Sequence, residues 1–94
     1  MKNIVLNDFH NVDFSRLGKP LKNKLPMIVI YKNPKDYPNN HVARLWIAGG
    51  SSPIPTLNIV LADSLEEVRK SVLPGMVRFE RDISDDPVVV ETWL

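Results

Sequence analysis

"TLNIVLADSLEEVRKSVLPG", residues 56–75, carries the clearest local signal in the chain. Up to Ala62 apolar and polar residues alternate, which is the period of a strand, and the pattern puts Leu57, Ile59 and Leu61 inward. From Ser64 the period lengthens to that of a helix. Ser64 with Glu67 three residues on is a capping box, in which the hydroxyl takes a free amide of the first turn and the carboxylate reaches back. Asp63, Glu66 and Glu67 complement the positive end of the helix dipole; Arg69 and Lys70 sit nearer the other end. Leu65, Val68 and Val72 form one apolar stripe, and Pro74 and Gly75 stop the helix. Some ten residues of helix are marginal alone, so this one must pack on a sheet.

Outward from that centre the chain reads as strands. "MIVIY" (27–31) is a β-branched apolar run. "HVARLWIA" (41–48) alternates, with Ala43, Leu45 and Ile47 on a core face and Val42, Arg44 and Trp46 on a mixed one. "GGSSPIP" (49–55) is a loop. "MVRFER" (76–81) alternates again, "DISDD" turns, and "PVVVETWL" (87–94) is a strand to the last residue. The order β-β-β-α-β-β predicts an α+β fold: one small antiparallel sheet of four to five strands with one helix on one face. The other face, with Arg44, Trp46 and Trp93, then needs water or a partner, and Trp46 and Trp93 are the expected interface residues. The apolar terminal strand is an expected edge, open to pairing by a second copy.

Residues 1–25 read as a separate N-terminal arm and basic linker, and 26–94 as the single domain. "NIVLN" suggests a short strand, and Phe9, Val12, Phe14 and Leu17 follow at loosely helical spacing. Ninety-four residues make one small domain with a thin core and, with no Cys, no disulfide to help it. Oligomerisation is therefore expected. No apolar run is long enough for a membrane span, and a cytoplasmic setting is the default.

The net charge is +1, but residues 1–50 carry +5 and residues 51–94 carry −4. Six basic residues and no acid lie between Arg16 and Lys35. Between the strands at 27–31 and 41–48 lies "KNPKDYPNNH", two successive turns and longer than a hairpin requires. Lys32, Lys35, Tyr37, His41 and Arg44 are expected near its tip, with Arg78 and Arg81 as further cations: charges for phosphate and a ring for a base. The bland alternative is that Tyr37 anchors the loop and the lysines are solvated.

Other chemistry lacks a pattern. His10 and His41 stand without metal-ligand spacing. "GGSSP" has neither a nucleophile elbow nor a P-loop lysine. Glu66 and Glu67 belong to a helix start, Asp85 and Asp86 to a turn. The chain reads as a non-enzyme with no metal and no cofactor, and nucleic acid is disfavoured by the balanced charge and the lack of a basic helix.

From residue 27 onward the chain resembles short uncharacterised proteins of bacteria and of their phages and mobile elements. "YKNPKDYPNNHVARLW", "LADSLEEVRKSVLPGMVR" and "DDPVVVETWL" carry the resemblance, which brings no function with it. "ADSLEEV" is also similar to the helix opening of antitoxin-type domains in which three strands precede a helix. Such a setting implies action by binding. The expected function is a phage-type counter-defence protein, a homo-oligomer that sequesters an anionic nucleotide-like signal between subunits. The alternatives are an inhibitor that docks on a host protein through the open face or terminal strand, and an antitoxin-like or purely structural homo-oligomer.

Overall fold

The computed structural model of the protein describes residues 2–10 and 25–94. The expected helical spacing at Val12, Phe14 and Leu17 and the basic run from Arg16 to Lys24 lie outside them. Among the described residues the fold is α+β, with one sheet and one helix. The sheet is mixed, with six strands in place of the four to five antiparallel ones expected. They are β1 (Ile4–Leu6), β2 (Leu25–Lys32), β3 (His41–Ala48), β4 (Ile54–Ala62), β5 (Arg78–Glu80) and β6 (Val89–Trp93), in the order β1-β4-β3-β2-β6-β5. All neighbours are antiparallel except β1 and β4, which run parallel with Ile4 opposite Asn58 and Leu6 opposite Val60.

One correction follows from that order. The terminal strand β6 is not an edge: β5 pairs outside it, and mutual amide–carbonyl bonds between Val77 and Leu94 (2.9 and 3.1 Å) extend the pairing. Residues 4–6 form the short strand that "NIVLN" suggests, and Phe9 contributes a core side chain. After β1 the chain crosses the end of the helical turn, where the Phe9 amide donates to the Ser71 carbonyl (3.2 Å) and His10 Nε2 lies 2.9 Å from the Val72 carbonyl. The Phe9 ring is fully buried.

The helix α1 (Leu65–Arg69) has five residues, half the expected length. Ser64 Oγ accepts the Glu67 amide at 3.1 Å, as the capping pattern requires, but the Glu67 carboxylate turns to Lys70 Nζ (3.2 Å). Beyond Arg69 the coil tightens: the amides of Lys70, Ser71 and Val72 donate to carbonyls three residues back. The expected stripe survives this change. Val68 and Val72 pack with Phe9, Ile28, Ile30, Ala43, Leu45 and Val60, and Leu65 lies against them.

The phase of β4 is a further correction. Val60 and Ala62 face the helix, while Ile59 and Leu61 share the other face with Arg44 and Val42. The run "IVLA" is apolar at both parities, so alternation alone could not choose. The β3–β4 register fixes it, with an irregularity between Arg44 and Trp46 where Thr56 Oγ1 donates to the Leu45 carbonyl (2.7 Å).

One charged side chain lies within this layer. Glu91, on β6, is 1% exposed. Arg69 grips it with two bonds, Nε to Oε2 at 3.0 Å and Nη2 to Oε1 at 2.7 Å, and Trp93 Nε1 donates to Oε2 at 2.7 Å. Burial pushes the Glu91 carboxyl upward. The Arg69 and Trp93 bonds, with the charges of Arg69 and Arg78, outweigh that and hold it below its ordinary 4.5.

Phe9→Ala is expected to cost about 3–5 kcal/mol, a large share of a small domain's stability, read as a lower midpoint in urea unfolding. A change under about 1 kcal/mol would mean that residues 4–10 do not belong to the cooperative core. Arg69→Met is expected to cost about 2–3 kcal/mol at neutral pH, because it strands a buried carboxylate. The folded carboxyl is depressed, so the pair stabilises the protein above the ordinary value and its contribution fades as pH falls through the folded one. The gap between parent and variant should therefore narrow in acid, and a gap independent of pH would refute the pairing.

Candidate functional site

Strand alternation decides which side chains meet on the face away from α1. Ile28, Ile30, Ala43 and Leu45 point to the helix. Met27, Val29 and Tyr31 of β2 and Val42, Arg44 and Trp46 of β3 therefore point the other way. They stand opposite one another across the strands: Met27 with Trp46, Val29 with Arg44, Tyr31 with Val42. On the other side Thr92 and Val89 of β6 pair with Val29 and Tyr31.

These residues line a groove of about 330 Å³. Met27, Val29, Tyr31 and Trp46 come from the central strands and Val89 and Thr92 from β6, while loops bring in Pro53, Asp85 and Asp86. A second hollow, of about 200 Å³, shares Tyr31 and adds Pro34, Asp36, Val42 and Arg44. Trp46 Nε1 donates to the Tyr31 hydroxyl at 3.2 Å, which ties the two rings together. Burial raises the Tyr31 phenol above its ordinary 10.0; the Trp46 bond and the Arg44 charge oppose the rise and the Asp86 charge adds to it.

The loop at 33–40 forms the two successive turns expected. Asn33, in the left-handed region (φ 48°), donates its amide to the Asn40 carbonyl (2.9 Å). The Tyr37 amide donates to Pro34 (3.0 Å) and the Asn40 amide to Tyr37 (3.2 Å). Part of the loop lies against the sheet, while Lys35 stays exposed. Pro34 and Asp36 line the hollow beside Arg44, and the Tyr37 hydroxyl accepts from Asn3 Nδ2 at 3.3 Å. Asn3 Oδ1 in turn accepts Arg44 Nη1 at 3.1 Å, and the same nitrogen donates to the Thr56 carbonyl at 2.7 Å.

The expected cation cluster is thus divided. Arg44 and Tyr37 meet through Asn3. Lys32 and His41 pair across β2 and β3 on the helix side, and Lys35 is exposed. The His41 pKa is lowered by burial and then by the Lys32 charge, and its Nδ1 is buried with no hydrogen-bond partner among the described residues. Arg78 faces the helix side, 3.9 Å from Glu80 and 4.0 Å from Glu91. Arg81 Nη1 donates to the Asp85 carbonyl (3.1 Å) in the acidic turn. β5 lies three strands from β3, roughly 14 Å away at the usual spacing. The two expected interface tryptophans also separate: Trp46 lines the open groove, while Trp93 is spent on Glu91.

Sequence reasoning missed Met27, Val29, Tyr31, Thr92 and Asn3. For the first three the signal was present, because the parity of 27–31 mirrors that of 42–46 once the two strands pair. Thr92 and Asn3 are placed by long-range pairing. Among the described residues, no group of three or more His, Asp or Glu is arranged to hold a metal ion, and no helix is long and apolar enough to cross a membrane. No family model, curated protein or solved structure matches the chain.

Ionised Tyr31 would absorb within the emission band of Trp46, so alkaline titration should quench the tryptophan fluorescence with a midpoint above 10.0. The step should vanish in Tyr31→Phe and move down in Asp86→Asn, where a charge that opposes ionisation is gone. A midpoint at the ordinary value would show the groove to be open to water.

Proposed function

We propose that this chain is a non-enzymatic binding protein that docks on a partner protein through the open face of its sheet. The carrying observation is the groove in which Tyr31 and Trp46, joined by one hydrogen bond, stand beside Met27, Val29 and Thr92. Rigid aromatics with a polar handle in an apolar setting are the usual anchors of protein interfaces. Asp85 and Asp86 at the groove favour a partner whose apolar anchor is flanked by Lys or Arg. The perturbed carboxylates support a binding role over catalysis. Glu91 is held ionised by Arg69 and Trp93, and Asp82 by the backbone and hydroxyl of Ser84, the reverse of what a general acid needs. The resemblance to proteins of phages and mobile elements supports a setting in which the partner is a host protein and docking inhibits it.

Arg44 favours a second reading, an anionic nucleotide-like ligand. Its guanidinium bonds only to the neutral Asn3 and Thr56 among the described residues, in the hollow that shares Tyr31 with the groove. A ring beside Tyr31 and a phosphate on Arg44 fit that arrangement. Lys32, Lys35, His41, Arg78 and Arg81 are too dispersed to join it.

Trp46→Ala separates the docking reading from chance adhesion. Tagged parent should retain a discrete protein from host lysate, and the variant, folded by circular dichroism, should bind that protein at least about 30-fold more weakly. Equal retention by both would overturn the open-face reading. Arg44→Gln should leave the protein partner in place but abolish any nucleotide-dependent quenching of Trp46. If the parent shows no such quenching, the nucleotide reading fails and the docking reading stands.

A further inference from the structure

The outer edge of β5 carries its own instruction. Among the described residues β5 ends the sheet, and Val77, Phe79 and Ile83 around it are exposed, Ile83 at 93%. Val77 exchanges both backbone bonds with Leu94, and Phe79 stands opposite Thr92 in the same register. In an antiparallel ladder such bonded pairs alternate, so the backbone groups of residues 77 and 79 point to β6 and those of Arg78 and Glu80 point outward. These outward groups form a template for another strand.

We infer that β5 pairs antiparallel with β5 of a second copy about a two-fold axis at Phe79, joining the two sheets edge to edge. The backbone narrows the choice of register and the side chains select among what remains. Outward groups at 78 and 80 can exchange bonds only when the pairing is Arg78 with Glu80, Phe79 with Phe79 or one shifted by two residues. At Phe79 every 78–80 pair unites opposite charges, twice over by symmetry, and the two phenyl rings meet in the closely spaced non-bonded position. A shift centred on residue 78 sets Arg against Arg; one centred on residue 80 sets Glu against Glu and brings Arg78 opposite Asp82, whose amide is already bound to Asp85 Oδ2 (2.9 Å). Edge charges ordinarily discourage pairing. Here their alternation in sign within β5 sets like charges together in both shifted registers. Room exists for the exchange, since the Arg78 and Glu80 side chains are 44% and 84% exposed and 3.9 Å apart within one copy. Phe79 shares the groove's face through Thr92, so the axis sets two open grooves side by side, roughly 24 Å apart at ordinary strand spacing. So short an interface falls at the weak end of specific association.

Sedimentation of the full chain over about 10 µM to 1 mM, the range expected for a small interface, tests the pairing. The parent mass should rise from 10.7 kDa toward twice that value. Glu80→Arg makes every 78–80 contact repulsive and should hold the chain monomeric. Glu80→Pro removes the outward amide together with the carboxylate, leaves the bonds to β6, and should do the same. Arg78→Glu should also be monomeric alone, yet an equimolar mixture with Glu80→Arg has opposite charges at each contact and should recover the dimer. Tryptophan emission and circular dichroism confirm folding of each variant; should Arg78→Glu disturb Glu91 and misfold, the two Glu80 variants decide. A parent that stays monomeric, or that self-associates equally well as Glu80→Arg or Glu80→Pro, overturns the inference.

Discussion

A buried carboxylate governs the arrangement. Glu91 sits on an interior strand, opposite Ile30, with 1% of its surface exposed. An isolated charge there would cost several kcal/mol, so the strand can take that place only if cations and donors reach it. Arg69 reaches it from the short helix and Trp93 from the next position on the same face. The requirement therefore fixes which face of the sheet the helix covers. It also commits Trp93 to the covered side and locks β6 between β2 and β5. Five residues of helix have little intrinsic stability, and the two-pronged grip supplies what length does not.

Once the helix is assigned to one face, the other must be closed by smaller means. The loop at 33–40 folds over one end of it, and Asn3 joins Tyr37 to Arg44 there. Ile59 and Val42 become buried on that side with no helix of the described residues above them. The rest of the face, around Tyr31 and Trp46, is left as a groove. The exposed surface is thus what remains after the N-terminal residues and the loop have been used for closure.

Local chemistry was legible in the sequence wherever one period dominated. Residues 27–31 and 41–48 are strands, Ser64 caps the helix, and the stripe of Leu65, Val68 and Val72 packs inward as its spacing requires. Legibility stopped where two answers had equal local merit. "IVLA" is apolar at both parities, so the face of β4 depended on its register with β3. "NIVLN" suggests the short strand at residues 4–6, but nothing local says that it pairs parallel with β4. The expected cation cluster is divided for a related reason. Loop-tip reasoning gathered cations by nearness in sequence, whereas strand parity puts His41 and Arg44 on opposite faces. One clue was available and unused: Glu91 is the single acid in the apolar run "VVVETW", and an acid there demands a basic partner from across the fold.

A chain of this length cannot saturate all its surfaces, and the pattern of what it leaves open is informative. The covered face received the charged network, the helix and the fully buried Phe9. The open face received aromatics with polar tips, which tolerate both water and a partner. The two sheet edges differ in the same way. β1 exposes Ile4 and Val5 on a three-residue strand with no charged residue, whereas β5 alternates opposite charges around an exposed ring. Chance could produce an apolar edge of either kind. An edge whose outward amides coincide with charges that are complementary under a two-fold rotation satisfies two unrelated conditions at once. It is this coincidence, more than the exposed area, that marks β5 as the surface through which the open grooves can be paired.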